Sequence, residues 1–176
     1  MGDRPCDTAD IIMDPSYTLR IHRPEDLPHI VQRHEELYSK EYSYNNHFIE
    51  IVTKVTTDFL EHHDPKRERC WIAERNGDFL GCVMLVKDKE SDGTGAKLRL
   101  LLVEPSARGL GLGGDLVRQC TRFAKEAGYT KIRLWTNGEL VSARRIYAKE
   151  GYKLVHAEED DSLGVKSVSE YWELTL

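Results

Sequence analysis

Lys97 to Gly114 reads KLRLLLVEPSARGLGLGG, and its two halves decide the fold. Leu98 to Val103 is an apolar run interrupted only by Arg99, with the length and composition of a largely buried strand. Pro105 cannot donate to a ladder, so the strand stops at Glu104-Pro105. Beyond it, Gly109, Gly111, Gly113 and Gly114 let backbone amides turn toward a common point with no Cβ in the way. Leu112, Leu116, Val117, Cys120 and Phe123 follow at helical spacing, so a helix begins where the glycine loop ends. Exposed amides at the positive end of a helix dipole make a site for phosphate, and Arg108 adds a charge able to bind it bidentately.

Three nucleotide-binding patterns use a loop of this kind. A P-loop needs Gly-Lys-Ser/Thr before its helix, and Gly113-Gly114-Asp115 supplies neither the lysine nor the hydroxyl. The dinucleotide pattern G-x-G-x-x-G is literally present as Gly109, Gly111 and Gly114. About 20 residues further on, however, stand Leu134, Trp135 and Thr136 in place of an acidic ribose partner. The third pattern, R/Q-x-x-G-x-G/A after an apolar strand, is matched by Arg108, Gly111 and Gly113. On these residues the chain resembles the GNAT superfamily of acetyl-coenzyme A-dependent N-acetyltransferases, whose loop grips the coenzyme A pyrophosphate. A glycine-rich turn without a ligand is the plain alternative. Each glycine costs about 0.5 to 1 kcal/mol against alanine, so four together call for a reason.

The resemblance extends along the chain. Tyr129 to Thr136, YTKIRLWT, alternates as a strand, and Glu139 to Glu150 reads as a short helix ended by Gly151. Ala143 to Tyr152, ARRIYAKEGY, looks like the superfamily's A-x-x-x-Y-x-x-x-G-F/Y ending. That likeness gives Tyr147 the role of protonating the departing thiolate; without the neighbouring loop the residue reads as an ordinary aromatic packed on one helix face. The superfamily often has Asn three residues before the alanine, where this chain has Leu140; Asn137 is the substitute for that polar contact with the cofactor arm. Expected cofactor contacts are therefore Leu101, Leu102 and Val103, the loop residues Arg108, Gly109, Leu110, Gly111, Leu112, Gly113 and Gly114, and Asn137 and Tyr147.

Upstream, Tyr17 to His22 reads as a first strand, and Pro24 with acidic neighbours opens a helix. Two helices are expected, Glu25 to Glu41 and Asn46 to His62, with apolar stripes Leu27, Ile30, Val31, Leu37 and Phe48, Ile51, Val52, Val55, Phe59. Cys70 to Glu74 and Asp78 to Lys87 form a hairpin through Asn76-Gly77, and Ser91 to Gly95 is a flexible connection. His34, Tyr38 and Glu41 share one face of the first helix, either as an acceptor-binding surface or as an ordinary solvated face. This run, with LRLLLVEPSARGLG and LWTN, looks most like the acetyltransferase half of bacterial proteins fused to a MarR-type DNA-binding domain. Residues 1–16 leave no room for that half and read as a loose tail before a single domain over 17–176.

Transfer to an amine requires a neutral nucleophile, since an alkyl ammonium near pKa ~10 has no lone pair. Candidate proton sinks are Glu104 at the mouth of the cofactor strand, Glu41, His34 and, through water, Tyr38. Glu104 precedes proline in a loop, where an exposed carboxylate is unremarkable. Arg99 breaks an apolar strand, so it either pairs with a structural carboxylate or faces the acceptor cleft and holds a substrate carboxylate.

With 176 residues and 40% apolar content, one domain can bury a core, and no run of 18 apolar residues could span a membrane. The chain has no secretory leader pattern, which makes the cytoplasm the expected compartment. Cys6, Cys70, Cys82 and Cys120 are widely spaced and read as reduced packing thiols. His62-His63-Asp64 invites a metal reading, but adjacent helical residues point different ways and suit capping better. A net charge of −5 argues against a nucleic-acid surface and is compatible with a cationic acceptor.

The fold expected is a three-layer α/β (α+β) domain. Its sheet is mixed and mostly antiparallel, with about seven strands, and is parallel only across the Val117-bearing helix. Splayed central strands would leave Leu101 to Val103 free to pair with the amide-rich pantetheine arm. The activity expected is acetyl-CoA-dependent N-acetyl transfer by direct attack in a ternary complex, with no metal. Its partner is a small-molecule or peptide amine; a homodimer is compatible, and neither nucleic acid nor membrane is expected. The rivals are a catalytically inert acyl-CoA sensor or interaction module and an NAD-type oxidoreductase.

Overall fold

The computed structural model describes residues 13–14 and 16–176, so Cys6 and most of the expected tail lie outside the described residues. In chain order the elements are β1 (Met13–Asp14), β2 (Tyr17–Ile21), α1 (Asp26–Tyr42), α2 (Asn46–His62), β3 (Arg69–Arg75), β4 (Asp78–Lys87) and β5 (Gly95–Val103). After a 3-10 turn at Pro105–Ala107 come α3 (Leu112–Glu126), β6 (Lys131–Asn137), α4 (Val141–Lys149), β7 (Lys153–Asp160) and β8 (Ser167–Thr175). One sheet holds all the strands in the order β1-β2-β3-β4-β5-β6-β8-β7. The expected seven are β2 to β8. Two-residue β1, pairing Met13 with Thr18, adds an eighth at the edge.

Local chemistry sets the boundaries. Asn76 and Gly77 both take positive φ, as a tight hairpin turn between right-twisted strands demands. Asn45 caps α2 by accepting from the His47 amide at 3.0 Å. The connection at 88–95 is a closed turn rather than a loose one. Asp88 and Gly95 pair through their backbones, Ser91 Oγ bonds at both ends, and β5 starts at Gly95, three residues before the apolar run. Helix α4 is shorter than expected at its start because 139–140 form a turn on Asn137.

Helices α1 and α2 cover one face of the sheet, packing Leu27, Ile30, Leu37 and Phe59 on Ile72, Cys82, Met84 and Leu102. Helix α3 covers the other, packing Leu116, Val117, Cys120 and Phe123 against Val83, Leu85, Leu98 and Ile132. The parallel pair is β5 with β6, and it runs only from Gly95–Lys97 against Lys131–Arg133. Beyond Lys97 the two strands part.

Where they part, β5 carries an extra residue. Leu102 opposes Cys82 and Arg99 opposes Met84, so two residues of β5 face one of β4, and Leu100 sits at φ +55°. The bulge reverses the alternation. Arg99 and Leu102 therefore both point toward the α1/α2 layer although three positions separate them.

Candidate active site

The splay opens a cavity of about 470 Å³ between the ends of α1 and β5, the glycine loop and α4. Of the predicted loop residues, Arg108, Gly109, Gly111, Leu112, Gly113 and Gly114 line it, while Leu110 projects outward at 40% exposure. Gly111 caps α3 at φ +79°, and none of the amides from Gly109 to Gly114 donates to the backbone. A Cβ on Gly113 would stand 2.6 Å from Ile146 Cδ1, the end of a side chain that would have to turn aside, so the bare position lets Ile146 of α4 pack against the loop. Arg108, Arg118, Arg145 and Lys149 add four cations to the wall. Unpaired amides, a helix N-terminus and clustered cations suit the phosphates of a coenzyme A nucleotide. The sequence reading missed Arg118, Arg145 and Lys149. Helical spacing was their signal: Arg118 follows Gly114 by one turn, and Arg145 and Lys149 are one turn apart.

Leu101, Leu102 and Val103 line the same cavity, and beyond Lys97 no residue of β6 pairs with β5. The Leu101 carbonyl accepts a long 3.4 Å bond from the Tyr38 hydroxyl, which ties α1 to the bulge.

A second, smaller cavity of about 90 Å³ lies against the first and shares Tyr38, Leu101, Leu140 and Ala143 with it. It brings together His34, Tyr38, Arg99, Asn137 and Tyr147, which the sequence had spread over four elements, and adds the aromatic residues Tyr44, Phe48 and Trp135. Tyr38 stacks on Phe48 at 4.7 Å between ring centroids and on His34 at 5.6 Å. Tyr147 is 4% exposed, and burial pushes its hydroxyl well above the usual tyrosine range. Asn137 faces this smaller cavity. Its Nδ2 donates to the Tyr44 hydroxyl at 3.0 Å, which donates in turn to Glu139 at 2.6 Å.

Of the four candidate proton sinks, Tyr38 lies between the two cavities and the other three are placed very differently. Glu104 is 8% exposed and lines neither cavity. Its two oxygens are taken by Arg33, through Nε at 2.5 Å and Nη2 at 2.9 Å. Glu41 lines the larger cavity and is bound to Arg108 at 2.6 Å. It thus faces the glycine-loop cavity as well as sharing a helix face with His34 and Tyr38. His34 is 1% exposed, its Nδ1 hydrogen-bonded to the Ile30 carbonyl at 2.8 Å, and burial lowers its pKa to about 4. The imidazole is therefore neutral at physiological pH, with Nδ1 the protonated nitrogen. His63 caps α2 and stacks on Phe59, and among the described residues no group of three His, Cys, Asp or Glu could hold a metal.

A family model described as Acetyltransferase (GNAT) family matches residues 29–152, more than two thirds of the chain. The protein is a member of the GNAT family. Rat N-acetyltransferase family 8 member 2 is 32% identical over 104 residues, covering 58% of this chain and 44% of its own length. An uncharacterized N-acetyltransferase of Schizosaccharomyces pombe is 27% identical over 131 residues, covering 74% of this chain and 78% of its own. The chain thus spans less than half of the rat relative. Among solved structures, a GNAT acetyltransferase from Staphylococcus aureus superposes with a TM-score of 0.73 at 16% identity, covering 92% of this chain and 99% of its own. A protein from Salmonella typhimurium whose structure contains acetyl-CoA superposes with 0.72 at 15%, covering 92% and 94%. These likenesses establish the GNAT fold. The narrower likeness to MarR fusion proteins rests on the sequence runs alone. No helix of the described residues is long and apolar enough to cross a membrane.

Proposed function

We propose that this GNAT protein transfers the acetyl group of acetyl-CoA to an amine seated in the smaller cavity, by direct attack and with no covalent enzyme intermediate. One observation carries the reading: the phosphate cradle and the aromatic cavity meet along Tyr38, Leu101, Leu140 and Ala143, at the unpaired end of β5. The names of the rat and yeast relatives, both N-acetyltransferases, support it.

Bound acetyl-CoA supplies the activated thioester. The loop amides and Arg108 hold the diphosphate, and the open edge at Leu101 to Val103 receives the amide arm as an added strand. Tyr147, kept protonated by burial, gives its hydroxyl proton to the departing thiolate and is reprotonated by the N–H proton that the attacking nitrogen loses as the amide forms. Glu104 and Glu41 are both engaged by arginines, and the buried His34 is too weak a base to hold an ammonium proton. The amine therefore sheds its proton to solvent, and the rate follows the free-base fraction of the acceptor. A panel of amines assayed by thiol release tests the activity. Tight acetyl-CoA binding without release from any amine would make the protein an inert acyl-CoA sensor instead.

A further inference from the structure

We infer that the acceptor is a compact amino acid, its carboxylate held by Arg99 and its amine by Asn137. The inference rests on the transferase reading above and adds the substrate class.

Arg99 lies on a strand whose neighbours Leu98 and Leu102 are buried, and the bulge turns it toward the cavity with His34, Phe48 and Asn137. Burial lowers the pKa of its guanidinium, and the one carboxylate acting on it is Glu90, which pairs with Lys97 at 3.4 Å. Among the described residues Arg99 makes no ion pair and no hydrogen bond. The structural carboxylate that would explain a strand arginine is therefore not on this face. A partly desolvated guanidinium without a counterion is stabilised by an anion, and its planar fork suits a carboxylate. An acceptor that is only a cation would meet like charge there, whereas a zwitterion brings its own counterion.

The second anchor is Asn137, 2% exposed, whose Oδ1 is buried and has no hydrogen-bond partner. Its orientation is fixed: the Tyr44 hydroxyl donates to Glu139 and so must accept from Asn137 Nδ2, which leaves Oδ1 as the unpaired acceptor. A buried carbonyl of this kind calls for an N–H donor. Unpaired cation and unpaired acceptor line one cavity, and Tyr44, Phe48 and Trp135 enclose the space between with rings. A volume of about 90 Å³ suits a compact molecule.

The test compares glycine, alanine, β-alanine and 4-aminobutyrate with alaninamide, ethylamine and propylamine, using the wild-type full chain and thiol release. At least one amino acid should exceed every uncharged-tail amine in kcat/KM. Arg99→Gln should lower that value by about 10- to 150-fold, mostly through KM, while changing the amide and simple amines only a few-fold. Equal use of both groups by the wild-type protein, or an equal loss for both in Arg99→Gln, would overturn the assignment. Calorimetry with N-acetylalanine and N-acetylalaninamide separates this from a failure of the transferase reading. Binding of the acid but not the amide supports the Arg99 site even without turnover, and binding of neither overturns it.

Discussion

Arg108 Nη2 lies 2.6 Å from Glu41 Oε1, so the guanidinium assigned to the coenzyme diphosphate is held by a carboxylate of α1 across the cavity mouth. The pair is half exposed on the arginine side and contributes less than about 1 kcal/mol to stability. Its larger effect is on binding, because an incoming anion competes with Glu41. Arg108→Ala should weaken acetyl-CoA binding by about 10- to 150-fold, the loss of a charge-assisted contact. Glu41→Gln should tighten it by about two- to five-fold, since it removes a like charge beside the anion. Isothermal calorimetry checks both, and unchanged affinity in the pair of variants would remove this contact from coenzyme recognition.

Tyr147→Phe should separate chemistry from binding. The hydroxyl makes no hydrogen bond among the described residues, while the ring packs near Tyr152 and Trp172, so the variant keeps its fold and its coenzyme Kd. Loss of the thiolate's proton donor should lower kcat by about 10² to 10⁴. Single-turnover rates equal to wild type would show that the tyrosine only packs.

Glu104→Gln probes the carboxylate at the end of β5. With both oxygens on Arg33, the side chain joins the end of β5 to α1, and removing the charge should cost about 1 to 3 kcal/mol of stability. Activity of the folded variant should stay within a few-fold, and the limb of its pH–rate profile that rises with pH should still move with the pKa of the acceptor. A limb fixed by the enzyme, and abolished by this substitution, would return the proton to Glu104.

His34 should make the fold acid-sensitive. Its pKa falls from 6.5 in the unfolded chain to about 4 in the folded one, so between these values the unfolded state binds more protons. Stability is thus complete above about pH 6.5 and declines as pH falls toward 4, by about 3 kcal/mol from this one group. His22, lowered by burial and by neighbouring His63, acts in the same direction. Urea titrations from pH 7 to 4 should show a shallower decline in His34→Gln than in wild type; parallel curves would mean the ring titrates normally.

Most of the architecture was legible because periodicity and turn chemistry are local. Helix α2 and strand β4 begin and end where the sequence placed them. Boundaries slipped where capping was made by backbone geometry, as at Leu140, or where a turn was closed by its own hydrogen bonds, as at Asp88. The loop half of the site was readable from glycines and Arg108, whose demands are conformational and electrostatic. The aromatic cavity was not, since Tyr44 and Trp135 are ordinary residues until the fold sets the α1–α2 connection beside β6. Ion pairing was hidden for the same reason: Glu104 finds Arg33 from 71 positions away.

The extra residue at Leu100 divides one strand between two tasks. Leu98 and Arg99 before it line only the smaller cavity, Leu102 and Val103 after it only the larger, and Leu101 borders both. On the proposed reading, acceptor choice can drift by substitution around Arg99 without disturbing the edge assigned to coenzyme A. Deleting one residue at the bulge would instead exchange inside for outside along the strand's end. This arrangement makes the scaffold tolerant to changes of letter and brittle to changes of length, so variants with new substrates are to be sought by point mutation on the near side of Leu100.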